Sequence, residues 1–353
     1  MKENATAAIV VNYNGGAANL ACVESLLGQV DEIVVVDNGS SDGSLEMLQE
    51  RFGDRARFMA MGKNVGLSLA RNAGAFATSS SYLLFFDNDA VARAGMVAAL
   101  QRVVEQHPEI GIVAPVVLDA HSPEIVQTTG LTIDRWGFPV DATTGVRVAE
   151  LPAYDLRPAF FVQGCALMVR AALFSQLHGY DEGIFFGGED VDICWRAWLA
   201  GSTVVSVRDA FCEHKGASTL GFDVRGSFYT PGLRGERYTT STYRIANREA
   251  NTFRMMVANL NRTNAAAYVL VFSPVLLLEA AAAFFTGRWS IANAYLATFG
   301  RIITQLPDTL RRRRSVQAKR CMPDSVVTRM WSRGYEKLAF LRRNGIPKVP
   351  APR

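Results

Sequence analysis

Two aspartates, Asp87 and Asp89, follow the apolar run Tyr82–Phe86 with one asparagine, Asn88, between them. Carboxylates at i and i+2 in a turn can converge on one hard divalent cation. Oxygen ligation favours Mg2+ or Mn2+ over zinc. Such a cation neutralises a diphosphate and stabilises it as a leaving group. A solvated acidic turn has the same pattern. A second acidic group, Glu189, Asp190 and Asp192, opens a helical segment behind Gly187-Gly188. The helix dipole favours negative charge there, so capping alone accounts for it. The functional reading is a general base: Asp190 takes a proton from a hydroxyl while Glu189 orients the acceptor. Two adjacent carboxylates also raise each other's pKa. His214, in Glu213-His214-Lys215-Gly216, is either an ordinary loop histidine or a third metal ligand beside Asp89.

Two further segments are polar where an apolar run ends. Asp37-Asn38-Gly39-Ser40-Ser41-Asp42-Gly43-Ser44 follows Ile33–Val36. An aspartate at a strand end can accept from a pyrimidine imide or a ribose hydroxyl, and the glycines let backbone approach. An ordinary turn with a helix cap reads the same way. No Lys-Ser/Thr follows the glycines, so this is not a phosphate P-loop. Asn64-Val65-Gly66 precedes Arg71 and Asn72. Arg71 either reaches a diphosphate or lies on the surface of an amphipathic helix.

The elements that must position these groups alternate. Ala8–Val11, Glu32–Val36, Ala56–Met61 and Tyr82–Phe86 read as buried strands. Asn19–Leu27, Ser44–Arg51, Val65–Thr78 and Gly95–Gln106 read as helices. The alternation predicts an α/β fold, a mostly parallel sheet flanked by helices, with ligands at the carboxyl ends of the strands. Further on, Ile110–Leu118, Phe160–Arg170 and Val204–Val207 read as strands, Ile133–Arg147 as a long loop or hairpin, and Glu189–Ala200 as a helix. Gly216–Gly235 reads as a mobile loop. Tyr238–Asn261 reads as a polar amphipathic helix and Ala265–Phe285 as an apolar one.

Taken in order, Val-Asn-Tyr-Asn at 11–14, the segment 37–42, Asn64-Val65-Gly66, Asp87-Asn88-Asp89, Gly188-Glu189-Asp190-Val191-Asp192 and His214 form one succession. It resembles the inverting glycosyltransferases of family 2, with the GT-A fold, over about residues 7–220. It is most similar to the rhamnosyltransferase branch, whose helix motif is echoed by Glu189–Arg196. The resemblance implies that Tyr13 and Asn14 lie at the nucleotide and that Asp37 and Asn64 help to bind it. It puts Arg71 near the diphosphate and Asp87 at the ribose or sugar. It makes Asp89 and His214 ligands of Mn2+ or Mg2+, and Asp190 the base beside Glu189. Gln163-Gly164-Cys165-Ala166 matches a segment that places Gly164 at the donor sugar. Some relatives carry Asp at the position of Asn88, so one anionic contact is absent here. The implied reaction is a single displacement at the anomeric carbon of a nucleotide sugar, dTDP-rhamnose before a UDP-hexose. The implied acceptor is a lipid-linked or polysaccharide glycan of the cell envelope. The intact Asp89 and Asp190 count against an inactive nucleotide-sugar-binding scaffold. A nucleotidyltransferase would want a basic residue in the loop after Gly15-Gly16, and none is there.

Composition fits this picture. The 353 residues are 49% hydrophobic and 20% charged, which excludes a disordered chain. The net charge of +4 hides an acidic body and a basic tail: residues 287–353 hold 15 Lys and Arg against 3 Asp and Glu. Arg288, Arg301 and Arg311–Arg314 flank apolar helices, which predicts attachment to an anionic membrane surface. A spanning helix, an in-plane hairpin with Ile291–Leu306 and a buried core helix all suit Ala265–Phe285, and the in-plane hairpin is preferred. No nucleic-acid-binding pattern accompanies the charge. The five cysteines have no metal-ligand spacing, and no signal-peptide pattern precedes Ala7–Val11. Both point to free thiols in the cytoplasm, at the inner face of the membrane. The expected organisation is a transferase domain, 1–235, and a helical, basic, membrane-associating region, 236–353. A homo-oligomer is compatible with it.

Overall fold

The computed structural model describes residues 2–216, 241–344 and 349. Strands β1 (Lys2–Asn12), β2 (Glu32–Asp37), β3 (Arg57–Ala60) and β4 (Ser80–Asp87) alternate with α1 (Ala18–Leu26), α2 (Ser44–Phe52) and α3 (Leu67–Phe76). After them come β5 (Ala90–Ala92), α4 (Met96–Gln106), β6 (Ile110–Asp119) and β7 (Ser122–Thr128). A separate hairpin, β8 (Thr132–Ile133) and β9 (Pro139–Val140), lies at the start of the stretch expected as loop or hairpin. Then follow β10 (Leu156–Pro158), β11 (Ala166–Arg170), α5 (Ala171–Gln176), α6 (Glu189–Leu199) and β12 (Thr203–His214).

The main sheet runs in the order β10-β12-β6-β11-β4-β1-β2-β3. It is parallel from β4 through β1 and β2 to β3 and antiparallel around β11. Helices cover both faces. Ile9 and Val34 point into one core, while their neighbours Val10 and Val35 point into the other. Strands buried on both sides need apolar residues at every position, which is why they read as unbroken runs. Register aligns the functional ends: Asn12 pairs with Asp37, and Val11 with Asp87.

Two expected strands have different limits. Phe160–Arg170 is a strand only from Ala166, because the backbone of Gly164 bonds to side chains instead of a neighbouring strand. Val204–Val207 extends to His214, which therefore sits at a strand end and not in a loop.

The C-terminal helices are α7 (Thr242–Asn259), α8 (Arg262–Phe285), α9 (Trp289–Lys319), α10 (Ser325–Thr328) and α11 (Glu336–Asn344). Residues 217–240, which include most of the expected mobile loop and the first residues of the expected helix 238–261, lie outside the described residues. α7 is buried on nearly all sides and is not a polar surface helix. Ile9, Phe85, Trp195, Phe253, Phe272, Tyr295 and Val327 share one core, so helices from both expected regions close over the same face of the sheet.

The tetra-arginine run is only partly surface charge. Arg311 and Arg314 are exposed. Arg312 lies 3.8 Å from Asp181 and 3.9 Å from Asp192. Arg313 donates to the carbonyls of Val257 and Leu260, and Arg320 to that of Asn259. These carbonyls end α7 and have no intrahelical partner, so the arginines serve as its C-terminal cap.

α8 turns Tyr268, Phe272, Leu276 and Ala280 inward and leaves Leu270, Leu278 and Phe285 at 75%, 69% and 84% exposure. Glu279 accepts from the Tyr335 hydroxyl at 2.6 Å and from Lys337 at 2.5 Å, and Lys337 also donates to Glu249 at 3.0 Å. A charged bridge thus ties α8 to α7 and α11.

Candidate active site

The site forms where β1, β2 and β4 end. Asp87 is the last residue of β4, and the chain turns through Asn88 and Asp89 into β5. β5 pairs with the end of β12 in a register that sets Ala90 opposite His214. This brings His214, more than a hundred residues away in sequence, against Asp89. Its Nε2 lies 3.2 Å from an Asp89 carboxylate oxygen. Ligand atoms of Asp87, Asp89 and His214 all fall within 4.8 Å of one another.

Two carboxylates and one imidazole suit Mn2+ or Mg2+, with nitrogen ligation favouring the former. The outer contacts suit it too. Gln127, from β7, approaches His214 Nδ1 with its side-chain oxygen at 2.9 Å and donates to the His214 carbonyl at 3.1 Å. That pair of bonds puts the proton on Nδ1 and leaves Nε2 as the ligating atom. Burial opposes the His214 imidazolium, but the neighbouring Cys165 and Asp89 outweigh it and raise the pKa. Burial also raises the Asp87 carboxyl, against the pull of Arg71.

Arg71 is neither on the surface nor free. It is buried on α3, with its guanidinium 5.5 Å from the centre of the Tyr180 ring. It donates to Asp87 at 2.6 Å and to the Gly164 carbonyl at 2.7 Å, and lies 3.5 Å from Glu189. Burial works against its charge, and Asp87, Tyr180, Glu189 and Asp190 together more than compensate. Arg71 is therefore the post that joins the metal-side carboxylate to the helix-side carboxylates.

Those carboxylates open α6. Gly187 and Gly188, both at positive φ (84° and 99°), make a turn that other residues adopt only with strain. Glu189 is buried and accepts from the Gly187 N–H at 2.8 Å. Asp190 accepts from the Gly164 N–H at 3.1 Å and from the Val191 N–H at 2.8 Å. Burial, then the charge of Glu189, push its pKa up to about 7. A carboxylate poised there can remove a proton at neutral pH. Asp192 instead pairs with Arg196 at 2.8 Å and accepts from Asn259 at 3.0 Å, which ties α6 to α7. Gly164 has room for little else, since an added Cβ would stand 3.1 Å from Arg71 and 3.3 Å from the Asp190 Cβ.

The remaining sequence candidates gather around the end of β2. Asp37 is buried and accepts from Asn12 at 2.8 Å, Gly39 at 3.2 Å and Ser40 at 3.1 Å. Its carboxylate shapes the 37–44 loop. Asn64 accepts from Asn38 at 3.1 Å and from the Gly66 N–H at 3.0 Å, joining the two loops. Asn14, exposed and left-handed at φ 51°, bonds to Ser40 and Ser41. Tyr13 is half-buried beside it. Gln127 escaped the sequence reading because β7 carries no motif; only the sheet register reveals it.

Comparison with known proteins agrees with this geometry. A family model for glycosyl transferase family 2 matches residues 7–173, a segment that stops before α6 and His214. An N-acetylglucosaminyl-diphospho-decaprenol L-rhamnosyltransferase of Mycobacterium tuberculosis is 26% identical over 212 residues, 54% of this chain and 68% of its own length. A probable N-acetylgalactosaminyltransferase 9 of Caenorhabditis elegans is 25% identical over 201 residues, 53% of this chain but only 34% of its own. The crystal structure of GalNAc-T7 with UDP, GalNAc and Mn2+ superposes with a TM-score of 0.56 at 17% identity. That alignment covers 73% of this chain and 48% of the solved one. The fold is GT-A, and residues 7–173 match the model of glycosyl transferase family 2.

Proposed function

We propose that the protein is a metal-dependent inverting glycosyltransferase. The observation that carries the reading is Asp190. It is a carboxylate with a pKa near 7, held by Gly164, and linked through Arg71 to the Asp87-Asp89-His214 group. An acceptor hydroxyl gives its proton to Asp190 as its oxygen attacks the anomeric carbon. The bond to the diphosphate breaks on the opposite side, and the configuration inverts. Asp87, Asp89 and His214 would hold a divalent cation, which when bound supplies charge for the departing diphosphate. Arg71 fixes the orientation of Asp87 and Glu189 throughout.

The donor we favour is dTDP-rhamnose and the acceptor a lipid-linked or polysaccharide glycan, in line with the activity for which the mycobacterial relative is named. A UDP-linked N-acetylhexosamine is the second reading, favoured by the N-acetylgalactosaminyltransferase relative. We place the enzyme on the inner, anionic face of the cell membrane. The outward Leu270, Leu278 and Phe285 and the exposed Arg288 support an in-plane seat for α8. The bridge from Glu279 to Lys337 holds α8 against the body, which supports seating over spanning. The deciding assay is nucleotide release from a panel of dTDP- and UDP-sugars, with and without Mn2+ or Mg2+. Release from none of them, or release indifferent to metal, would overturn the reading or its metal site respectively.

A further inference from the structure

The turn before Asp190 is held from a distant part of the chain. α7 lies wholly outside the family-matched segment, yet its polar side chains converge on residues 181–192. Asn247 donates to the Phe186 carbonyl at 2.6 Å. Asn251 donates to the Phe186 carbonyl at 3.1 Å and to the Gly187 carbonyl at 2.8 Å. Arg254 forks onto both oxygens of Asp181, each at 2.7 Å. Asn259 reaches Asp192 at 3.0 Å. Positions 247, 251 and 254 are spaced by four and three, which puts them on one stripe of the helix. Around the stripe, Ala246, Ala250, Phe253, Met256 and Val257 of α7 are buried.

This stripe meets the part of the site least able to hold itself. Gly187 and Gly188 have no side chains to pack, and both sit at positive φ. The carbonyls of Phe186 and Gly187 precede α6 and belong to no ladder. Their partners are the two α7 amides. Met255, also on α7, closes over Gly188, where an added Cβ would meet its terminal methyl at 3.1 Å. On the other side, the Gly187 N–H holds Glu189, and the next residue is Asp190.

We propose that Asn247 and Asn251 are positioning residues for the proton-accepting carboxylates: α7 fixes the Phe186–Gly188 turn, and the turn fixes Glu189 and Asp190. This inference rests on the reading of Asp190 as the base. Loss of the amide donors frees two carbonyls and lets the two glycines relax, so Asp190 spends less time on the Gly164 N–H. Donor binding at Asp37, Asn64 and the metal group has no share in these bonds.

The test compares Asn251→Ala with Asn251→Asp in the full-length protein. The aspartate keeps the volume but removes the donor. Expected are a fall in kcat for nucleotide release of at least tenfold in both variants, and Kd for UDP and dTDP with Mn2+ within twofold of the parent. Amide hydrogen exchange across residues 186–191 should be at least tenfold faster, with α3 and β4 unchanged. Asn247→Ala, which removes one bond of the three, should show a smaller change of the same kind and serves if either Asn251 variant fails to fold. Parental kcat in Asn251→Asp would assign the side chain to packing and overturn the proposal. So would losses of kcat and nucleotide affinity in equal proportion. Exchange needs no substrate. Faster exchange in a protein that turns over no nucleotide sugar would sink the transferase reading and leave the grip standing; unchanged exchange would sink the grip.

Discussion

Replacing Asp190 with asparagine should impair the enzyme and, above neutral pH, stabilise the fold. The Asp190 carboxyl is held at about 7 in the folded protein against an ordinary 3.8. A raised carboxyl keeps its proton longer in the fold than in the open chain. Its ionisation therefore destabilises the fold progressively as pH rises from about 4 to about 7, and the full penalty stands above that. The difference corresponds to about 4 kcal/mol as a ceiling, since Glu189 shares the effect. Asparagine never ionises, but it has one acceptor oxygen for two N–H donors, Gly164 and Val191. Turning its own N–H toward one of them costs about 1–3 kcal/mol. The net gain at pH 8 is then about 1–3 kcal/mol, and the sign reverses near pH 4, where only the lost bond remains. Thermal denaturation of both proteins from pH 4 to 8, without divalent cation, reads this directly. Turnover should fall by about 10²–10⁴. In the parent, turnover should rise about tenfold between pH 6 and pH 8, as the ionised fraction grows from about a tenth to about nine-tenths. A difference in Tm that does not grow with pH refutes the raised carboxyl. Turnover within tenfold of the parent removes Asp190 from the base role.

Gln127→Ala should weaken Mn2+ binding by about 10–100-fold through His214, while nucleotide binding without metal is unchanged; titration calorimetry measures both. Gly164→Ala should keep the fold but lower kcat, because the new methyl presses on Arg71 and Asp190, and a parental rate would show that this contact yields freely. Leu278→Glu and Phe285→Glu should abolish sedimentation with anionic vesicles and leave nucleotide release in solution intact; continued sedimentation would refute the seat on α8.

Much of the sheet was legible because its strands are buried on both faces and read as unbroken apolar runs. The carboxylates at their ends were legible for the same reason: Asp37 and Asp87 stand where Val36 and Phe86 stop. Long-range pairing was not. The sequence signals for Arg71 fit a helix surface as well as a buried post, and only the approach of Gly164 and Asp87 decides between them. The burial of α7 was hidden because its inward face carries Asn247, Asn251 and Arg254, residues that look solvent-facing until their partners arrive. The basic tail was legible only as charge, since a guanidinium that caps a helix, as those of Arg313 and Arg320 do, has the same one-letter signature as one that meets a lipid.

The caps on α7 bear on how the protein is made. Arg313 and Arg320 close a helix that itself holds the turn before Asp190, and they leave the ribosome long after β1 and β4. Domains fold as units during synthesis, N-terminal portions first. Here α3, α5 and α6 can cover their face of the sheet as it emerges, while the layer that α7 and α10 add over α6 must wait. A nascent chain stalled before residue 260 would carry its substrate-facing loops yet leave Trp195 without Trp331, its ring partner at 5.3 Å, an apolar target for chaperones. The last quarter of translation thus sets both the solubility of the newborn chain and the moment at which it becomes an enzyme.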